Sequence, residues 1–316
     1  MKIPPNRWNL IHKNLRISSL GDYINKWGGI SVRLQSNNAK SNLNVDFIKL
    51  RLTVTGDAPV SGPGELLLKD RFTFDLIGRF ETYDTDMVIV DLFDIESSSI
   101  ASYANNGVTV VCRFSAGTWE HWRPDNMEFD DNAIGNNVDG WPGEKWLDTV
   151  SGEVKKMMLN RITLAKQKSC HAIEVVKVNG YAHDTSFDLY PGETKSYILQ
   201  LATKAHSEGL LFGLNGSQEI SGDAANFVDF AVAENCIASG TCCRFKEYIK
   251  LNKPVFAVEY SDTDQAACNA FGKVRYSVVF SNTDHNFMTT CSARNGDTTD
   301  ENGVFISSDT CSNIFS

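Results

Sequence analysis

The sequence has no apolar run of the ~18 residues that a membrane-spanning helix requires, so no such helix is predicted. Basic residues are also in the minority: 30 Lys and Arg stand against 39 Asp and Glu, and the formal net charge is −9. Proteins that bind nucleic acid through its phosphates need a basic surface, so we expect no nucleic-acid partner. The acidic balance is typical of a soluble protein, and it would also suit a cationic polymer such as an amino-sugar polysaccharide.

Paired C-x-x-C motifs are absent as well, and the 6 histidines do not combine with the cysteines in the spacing of a zinc site. No zinc site, other metal or cofactor is therefore predicted. The first residues, 1–6, lack the apolar core of a signal peptide. Either the protein is not secreted by that route, or the sequence begins after a removed leader.

The chain contains 8 cysteines, and most of them are crowded into residues 236–316. An even number in one loop-rich end favours disulfides, and hence a secreted protein in an oxidising, extracellular compartment. A cytosolic protein with free thiols is the alternative. The candidate disulfide residues are Cys236, Cys242, Cys243, Cys268, Cys291 and Cys311, with Cys236–Cys242 or Cys236–Cys243 and Cys291–Cys311 as the expected pairs.

Two further features concern single positions. Cys112 and Cys170 lie on strands that are expected to be neighbours, and they are either paired or free. The tripeptide Asn215-Gly216-Ser217 matches the acceptor motif for N-glycosylation, which predicts a glycan at Asn215.

The chain divides by pattern into residues 1–70 and residues 71–316. Residues 1–70 contain short segments with strand alternation and a turn-rich break, which predicts a β-rich N-terminal extension. About 70 residues with two or three strands bury little apolar surface by themselves. We therefore expect the extension to pack on the main domain or to mediate self-association with another chain.

From residue 71 onward, short apolar segments alternate with helix-like segments. Strands that are apolar on both faces and separated by helices predict a parallel sheet covered by helices, and their number favours a (β/α)8 TIM-type barrel. Function in such a barrel is located where the strands end. The predicted strand ends are Asp91, Ser115, Val176, Asn215, Glu234, Glu259 and Ser281.

Two tryptophan-rich segments, residues 112–125 (CRFSAGTWEHWRPD) and 140–148 (GWPGEKWLD), carry a specific resemblance. They resemble loops of glycoside hydrolase family 114, the endo-α-1,4-polygalactosaminidase-like TIM barrels. Residues 91–94, 205–210, 234–236 and 254–260 continue the match in order, so the resemblance covers about residues 71–285. It implies a barrel that binds polysaccharide.

The chain departs from this family where catalysis is expected. The family's fourth strand ends in Glu-Pro-Asp-Asn, whose Asp is one of two catalytic carboxylates; residues 174–177 here are Glu, Val, Val and Lys. The second carboxylate of the family corresponds to Glu234, which is retained. Further family positions are occupied by different residues, namely Ile89, Arg113, Asn215, Gly216 and Ser281.

The candidate catalytic residues are therefore Glu234 and, as a substitute for Val176, Glu174. Glu174 should point to the same side of its strand as Val176 but two residues deeper. The tryptophans of the two motif segments also have a purely structural interpretation, in which they pack the loops. Likewise, Arg123 with Asp125 and Glu144 with Lys145 can be interpreted as structural salt bridges. The resemblance implies these substrate-binding candidates: Asp91, Trp119, Glu120, Trp122, Arg123, Trp141 and Glu259.

Glycoside hydrolysis ordinarily requires two carboxylates on either side of the scissile bond. Val176 cannot serve as one, and Lys177 would bring a cation to a place where positive charge develops. The sequence thus predicts a catalytically degenerate member that binds carbohydrate or acts as an extracellular structural or assembly subunit. The alternative is an active glycosidase that cleaves α-1,4-linked galactosamine polymers with Glu234 as acid/base, together with Glu174 or Asp91.

Overall fold

The computed structural model describes residues 72–76, 85–261, 276–281 and 288–290. The chain forms two compact units, residues 1–58 and 59–316. The predicted N-terminal extension, residues 1–70, lies outside the described residues and stays a prediction. So do three of the candidate disulfide residues, Cys268, Cys291 and Cys311.

Eight parallel strands form the main sheet, and each pairs with the next one in the chain. The last of them also pairs with a short antiparallel strand, β12 (Met288–Thr290), and the first and eighth parallel strands lie side by side. The predicted (β/α)8 TIM-type barrel is confirmed. Its parallel strands are β1 (Phe72–Asp75), β2 (Met87–Asp91), β3 (Thr109–Ser115), β7 (Ala172–Val176), β8 (Leu211–Asn215), β9 (Phe230–Glu234), β10 (Val255–Glu259) and β11 (Ser277–Ser281).

An excursion between β3 and β7 carries the remaining strands. β4 (Thr118–Glu120), β5 (Ile134–Asn137) and β6 (Glu144–Leu147) form an antiparallel sheet in the order β4-β6-β5. The sequence suggested only loops here, since three or four residues are too few for a visible alternation. Gly117 fixes this small sheet to the barrel, because a Cβ at this position would overlap the backbone carbonyl of Lys177.

Helices cover the outside of the barrel. The two long ones begin at clear signals: the Ser151 side chain caps α2 (Gly152–Gln167) by accepting from the backbone N–H of Glu153, and Pro191 opens α3 (Pro191–Ser207). The short helices α4 (Gln218–Ala224) and α5 (Lys246–Lys250) were not predicted. The α-helices are α1 (Ser97–Asn105), α2 (Gly152–Gln167), α3 (Pro191–Ser207), α4 (Gln218–Ala224) and α5 (Lys246–Lys250); 3₁₀ turns occur at Asn126–Glu128, Asp131–Ala133, Gly180–Ala182 and Cys242–Phe245. No helix in the described ranges is long and apolar enough to cross a membrane.

The barrel interior is filled by aromatic rings. The ring centroid of Phe256 lies 5.0 Å from that of Phe72 and 5.9 Å from that of Phe230. Gly213 of β8 permits this packing, because a Cβ there would collide with the ring of Phe230. The lower part of the barrel is therefore a packed core and not a channel. A larger apolar cluster lies between the strands and the helices.

Two disulfides lie within the described part of the chain. Cys236–Cys242 confirms one of the two predicted alternatives, and the other, Cys236–Cys243, is wrong, although Cys243 is also disulfide-bonded. Cys112–Cys170 resolves the pair that the sequence left open. Cys112 lies in β3 and Cys170 directly precedes β7, and these strands pair with each other.

Replacing both Cys112 and Cys170 by alanine should lower the free energy of unfolding by about 2–4 kcal/mol, because this bridge closes a long loop in the unfolded chain. Its residues are 58 apart in sequence, whereas Cys236 and Cys242 are 6 apart. Urea denaturation without reductant measures the loss. The matched control is the Cys236→Ala/Cys242→Ala variant, which should lose less. An equal or larger loss in that control would contradict the expectation.

Candidate functional site

The mouth of the barrel is formed by the predicted strand ends. All seven predicted positions are the last residues of their strands, namely Asp91, Ser115, Val176, Asn215, Glu234, Glu259 and Ser281. The polar residues there follow from strand periodicity. Arg113, Glu174 and Glu234 each stand two residues after Val111, Ala172 and Val232, which belong to the inner core. Because side chains alternate along a strand, the next layer inside the barrel is polar.

This layer is a hydrogen-bonded group of five residues, here termed the central cluster: Arg113, Glu174, Asn215, Glu234 and Tyr260. Nη2 of Arg113 lies 3.0 Å from Oε1 of Glu234, and Nη1 lies 3.7 Å from Oε1 of Glu174. Nδ2 of Asn215 donates to both carboxylates, at 2.7 Å to Glu174 and 2.5 Å to Glu234. Oη of Tyr260 donates to Oε2 of Glu234 at 2.7 Å. Both oxygens of Glu234 are thus already engaged.

The ionisation of Glu234 follows from these partners. Burial opposes its negative charge, but the charge of Arg113 and the hydrogen bonds from Tyr260, Asn215 and Arg113 outweigh burial and lower the pKa of Glu234. The side chain is 24% exposed, on the mouth side. A carboxylate that stays ionised is a poor proton donor to a leaving oxygen.

Glu174 is in the opposite situation. Its side chain is fully buried, and burial raises its pKa to about 7 despite Arg113 and Asn215. Its Oε2 atom has no hydrogen-bond partner among the described residues, and the same holds for Nη1 of Arg113. Glu174 pairs in register with Arg113 of β3 and Gly213 of β8, well below the strand ends. The predicted deeper position is observed, and it keeps Glu174 out of contact with solvent.

The pH dependence of stability should carry the signature of Glu174. Its pKa is about 7 in the folded state and 4.5 as the ordinary value, so the folded state holds the proton more tightly. Stability should therefore fall as pH rises from 4.5 to about 7, by roughly 1–3 kcal/mol, and then level off. In Glu174→Gln this part of the dependence should vanish. Urea unfolding at several pH values tests this; equal slopes in both proteins would contradict it.

A second group lies on the rim beside β2. Arg123 makes a bidentate contact with Asp91, at 2.8 and 2.7 Å, and also donates to Glu120 at 2.8 and 3.0 Å. Its guanidinium lies 4.8 Å from the ring centroid of Phe93. Burial raises the pKa of Glu120, and Arg123 counteracts that shift. Three of the substrate-binding candidates are therefore bound to one another.

The predicted salt bridge between Arg123 and Asp125 is wrong. Asp125 instead accepts two hydrogen bonds from Arg161 of α2, at 2.8 and 2.9 Å, and Arg161 also donates to the backbone carbonyl of Ser115. Arg161 is almost fully buried. This contact ties the loop that carries Trp122 to α2 and to the end of β3, and nothing in the local sequence pattern indicates it.

A third group stands where β7 ends, and here too the expected pairing was wrong. Glu144 pairs with Lys177 and not with Lys145, and its second oxygen accepts from Thr118. Nζ of Lys177 also lies 3.6 Å from the ring centroid of Trp141. The Glu144 side chain is 1% exposed and that of Lys177 is 23% exposed. Lys177 therefore lies between a buried carboxylate and an aromatic face.

The four tryptophans of the two motif segments have different environments. Trp119 is partly buried and donates to the backbone carbonyl of Asn126, and Trp146 is buried and stacks on His183. Trp122 and Trp141 are about half exposed, at 48% and 55%. Of these four tryptophans, Trp122 and Trp141 therefore have ring surface available to a ligand. The loop-packing interpretation fits Trp119 and Trp146 only.

Glu259 and Asn215 are occupied by the fold itself. Glu259 is buried and accepts from the backbone N–H of Ile237 at 3.1 Å. It also lies near the sulfurs of Cys236 and Cys242, but those sulfurs form a disulfide, so this group does not fit a metal ion. Asn215 is buried, and its Nδ2 atom, to which a glycan would be attached, donates to two carboxylates inside the barrel. The glycan expected from the motif is incompatible with this arrangement.

One residue of the central cluster was missed by sequence reasoning. Tyr260 follows Phe256 and Val258 at two-residue spacing, and both of those belong to the inner core. The same alternation that places Glu234 in the mouth would have placed Tyr260 there. No comparable periodicity predicts that Glu144 and Trp141 contact Lys177, because both belong to the excursion between β3 and β7 and not to the strand that precedes Lys177.

Comparison with known proteins agrees with the barrel fold. The model of glycoside-hydrolase family GH114 matches residues 69–297. The crystal structure of Aspergillus fumigatus Ega3 in complex with galactosamine is 29% identical, covers 72% of this chain and 97% of its own, and superposes with a TM-score of 0.67. The glycoside hydrolase domain of PelA from Pseudomonas aeruginosa is 10% identical, covers 70% and 97%, and has a TM-score of 0.55, which shows a shared fold. No curated protein matches. The chain belongs to glycoside-hydrolase family GH114.

Proposed function

We propose that this chain is a catalytically degenerate member of GH114, secreted, that binds an amino-sugar polysaccharide at the barrel mouth without cleaving it. The observation that carries the proposal is the engagement of Glu234. Its two oxygens are held by Arg113, Asn215 and Tyr260, and the position of its expected partner carboxylate is Val176.

Hydrolysis needs one group to protonate the leaving oxygen and another to activate water or to attack. Val176 can do neither, and Glu174 is fully buried. Asp91 is held by both terminal nitrogens of Arg123. Neither Glu174, which is buried, nor Asp91, which is bound to Arg123, is therefore available as the second catalytic carboxylate.

Binding is supported by the surface that remains. Trp122 and Trp141 offer exposed aromatic faces on which sugar rings stack. Asp91 and Glu234 are partly exposed carboxylates, and the whole chain is acidic, which favours cationic sugars. Ega3, which is 29% identical, was crystallised with galactosamine. The disulfides support an extracellular location.

The test combines hydrolysis and binding with α-1,4-linked galactosamine oligomers. We expect no product at any pH, but retention on an immobilised oligomer and a calorimetric binding signal. Trp122→Ala should weaken binding by about 1 kcal/mol. Leu251→Ala, an exposed residue outside the mouth, is the matched control. Turnover that disappears in Glu234→Gln would overturn the degenerate assignment, and absence of both turnover and binding would overturn the binding role.

One observation favours the alternative of an active glycosidase. The pKa of Glu174 is raised and that of Glu234 is lowered, although both accept from Asn215. Opposite shifts of neighbouring carboxyls are a feature of acid/base pairs. On this alternative, turnover would show a bell-shaped pH profile and would be lost in Glu174→Gln and in Glu234→Gln alike.

A role as an extracellular structural or assembly subunit, through self-association of residues 1–70, stays a prediction from sequence. It is compatible with the binding proposal, because a barrel that no longer cleaves can still hold a polymer within an assembly.

A further inference from the structure

Lys177 occupies an unusual place at the end of β7. Its side chain is folded so that Nζ is bound by the Glu144 carboxylate and lies 3.6 Å from the ring centroid of Trp141. A carboxylate together with an aromatic face is the combination by which proteins bind ammonium groups. The lysine head group is thus bound in the way that a small ammonium ligand would be.

The surroundings of this head group are built in advance. The Glu144 side chain is 1% exposed, and its other oxygen accepts from Thr118, which in turn is bonded to Ser115. Trp141 is held by a hydrogen bond from its backbone N–H to the carbonyl of Val138. These groups come from the small sheet and its loops and not from the chain segment of Lys177. They would therefore stay in place without the lysine side chain.

The backbone of Lys177 also indicates a constrained position. Its φ is 56°, in the left-handed region that residues with a Cβ adopt at a cost. The contact between its carbonyl and Gly117 leaves little room for the loop to relax. Glycine would adopt this conformation without strain, so the side chain of Lys177 is not needed to form the turn.

We propose that Glu144, which Thr118 orients by a hydrogen bond, and Trp141 form a binding site for a primary ammonium group, and that Lys177 keeps this site filled as a tethered ligand. The site goes beyond the proposed carbohydrate binding, since it takes an ammonium group whatever molecule carries it. Within the native chain, Lys177 acts as an autoinhibitory contact: an external amine must displace it. Removing the side chain exposes an anionic, aromatic-walled cavity at the barrel mouth.

The test uses n-butylammonium as a probe, measured by calorimetry and by quenching of tryptophan fluorescence. Lys177→Gly should bind it about tenfold more tightly than the native protein does, because the tethered competitor is gone. Lys177→Met is the matched control: it fills the same space without a charge and should not gain binding. In Lys177→Gly/Glu144→Gln the gain should be lost, and n-butanol, which carries no charge, should not bind.

Equal binding of n-butylammonium to Lys177→Gly and Lys177→Met would overturn the proposal, and so would equal binding of n-butanol. Lys177→Ala replaces Lys177→Gly if the latter does not fold, as judged by circular dichroism, with the same expected gain. Because the probe is not a sugar, this outcome is independent of carbohydrate binding. Failure with butylammonium combined with retention on a galactosamine polymer would leave the proposed function intact.

Discussion

Replacement of Arg113 by methionine should lower the free energy of unfolding at neutral pH by about 3–5 kcal/mol, because it leaves the carboxyls of Glu174 and Glu234 without their cation. The guanidinium is 3.0 Å from Glu234 and 3.7 Å from Glu174, and the Glu174 side chain is fully buried. Methionine has a similar length and fills the space, so the loss measures the charge. Urea denaturation at pH 7.5 gives the value.

The control is a solvent-exposed ion pair. Lys195 and Asp223 lie 2.9 Å apart at the surface, and Lys195→Met should cost less than about 1 kcal/mol. The loss in Arg113→Met should shrink toward pH 4.5, where the Glu174 carboxyl, whose pKa is raised to about 7, is protonated and no longer needs a cation. It should also shrink when Glu174→Gln and Glu234→Gln are added. A loss of the same size at pH 4.5 would contradict the electrostatic explanation.

This result would bear on function as well as on stability. A cation that stabilises the fold through Glu234 cannot leave this carboxylate without a cost in stability. If Arg113→Met lowers the free energy of unfolding as expected, the retained carboxylate has become part of a structural cluster. Catalytic and structural use of Glu234 are then in competition, because Arg113, Asn215 and Tyr260 hold both of its oxygens.

The barrel itself was predictable because burial on both faces leaves a strong pattern. β2 and β10 are runs of four apolar residues that each end at a carboxylate, so their ends could be located to the residue. The central cluster was partly predictable for the same reason. Positions two residues beyond the inner core must point into the mouth.

The pairing of charges was not predictable. Neighbours in sequence suggested Arg123 with Asp125 and Glu144 with Lys145, but within the excursion between β3 and β7 these residues contact other partners. Arg123 reaches Asp91, and Glu144 reaches Lys177, across 32 and 33 residues of chain. Such contacts depend on how the small sheet folds over the mouth, and its strands are too short to leave a pattern.

Restoring the family's carboxylate by Val176→Asp alone should yield no detectable hydrolysis of α-1,4-linked galactosamine oligomers. The new carboxylate would stand beside Lys177, whose ammonium is already bound by Glu144 and Trp141, and above an Arg113 that already engages Glu234. Catalytic groups that act as a unit are strongly non-additive, so one member restored among several missing ones contributes almost nothing. Reducing-end release and mass spectrometry of the oligomers measure the outcome.

A stepwise series of variants, in which residues 176, 177 and 113 are changed in turn to those of the family, tests which residue blocks hydrolysis. Val176→Asp combined with Lys177→Asn removes the competing cation, and Arg113→Tyr then releases Glu234 from its ion pair. If the cations of Lys177 and Arg113 are what blocks the site, hydrolysis should appear only when all three changes are present. The rate should then rise by orders of magnitude at the last step. Appreciable turnover from Val176→Asp by itself would mean that Arg113 and Lys177 do not block the site, and the present account of the mouth would have to be abandoned.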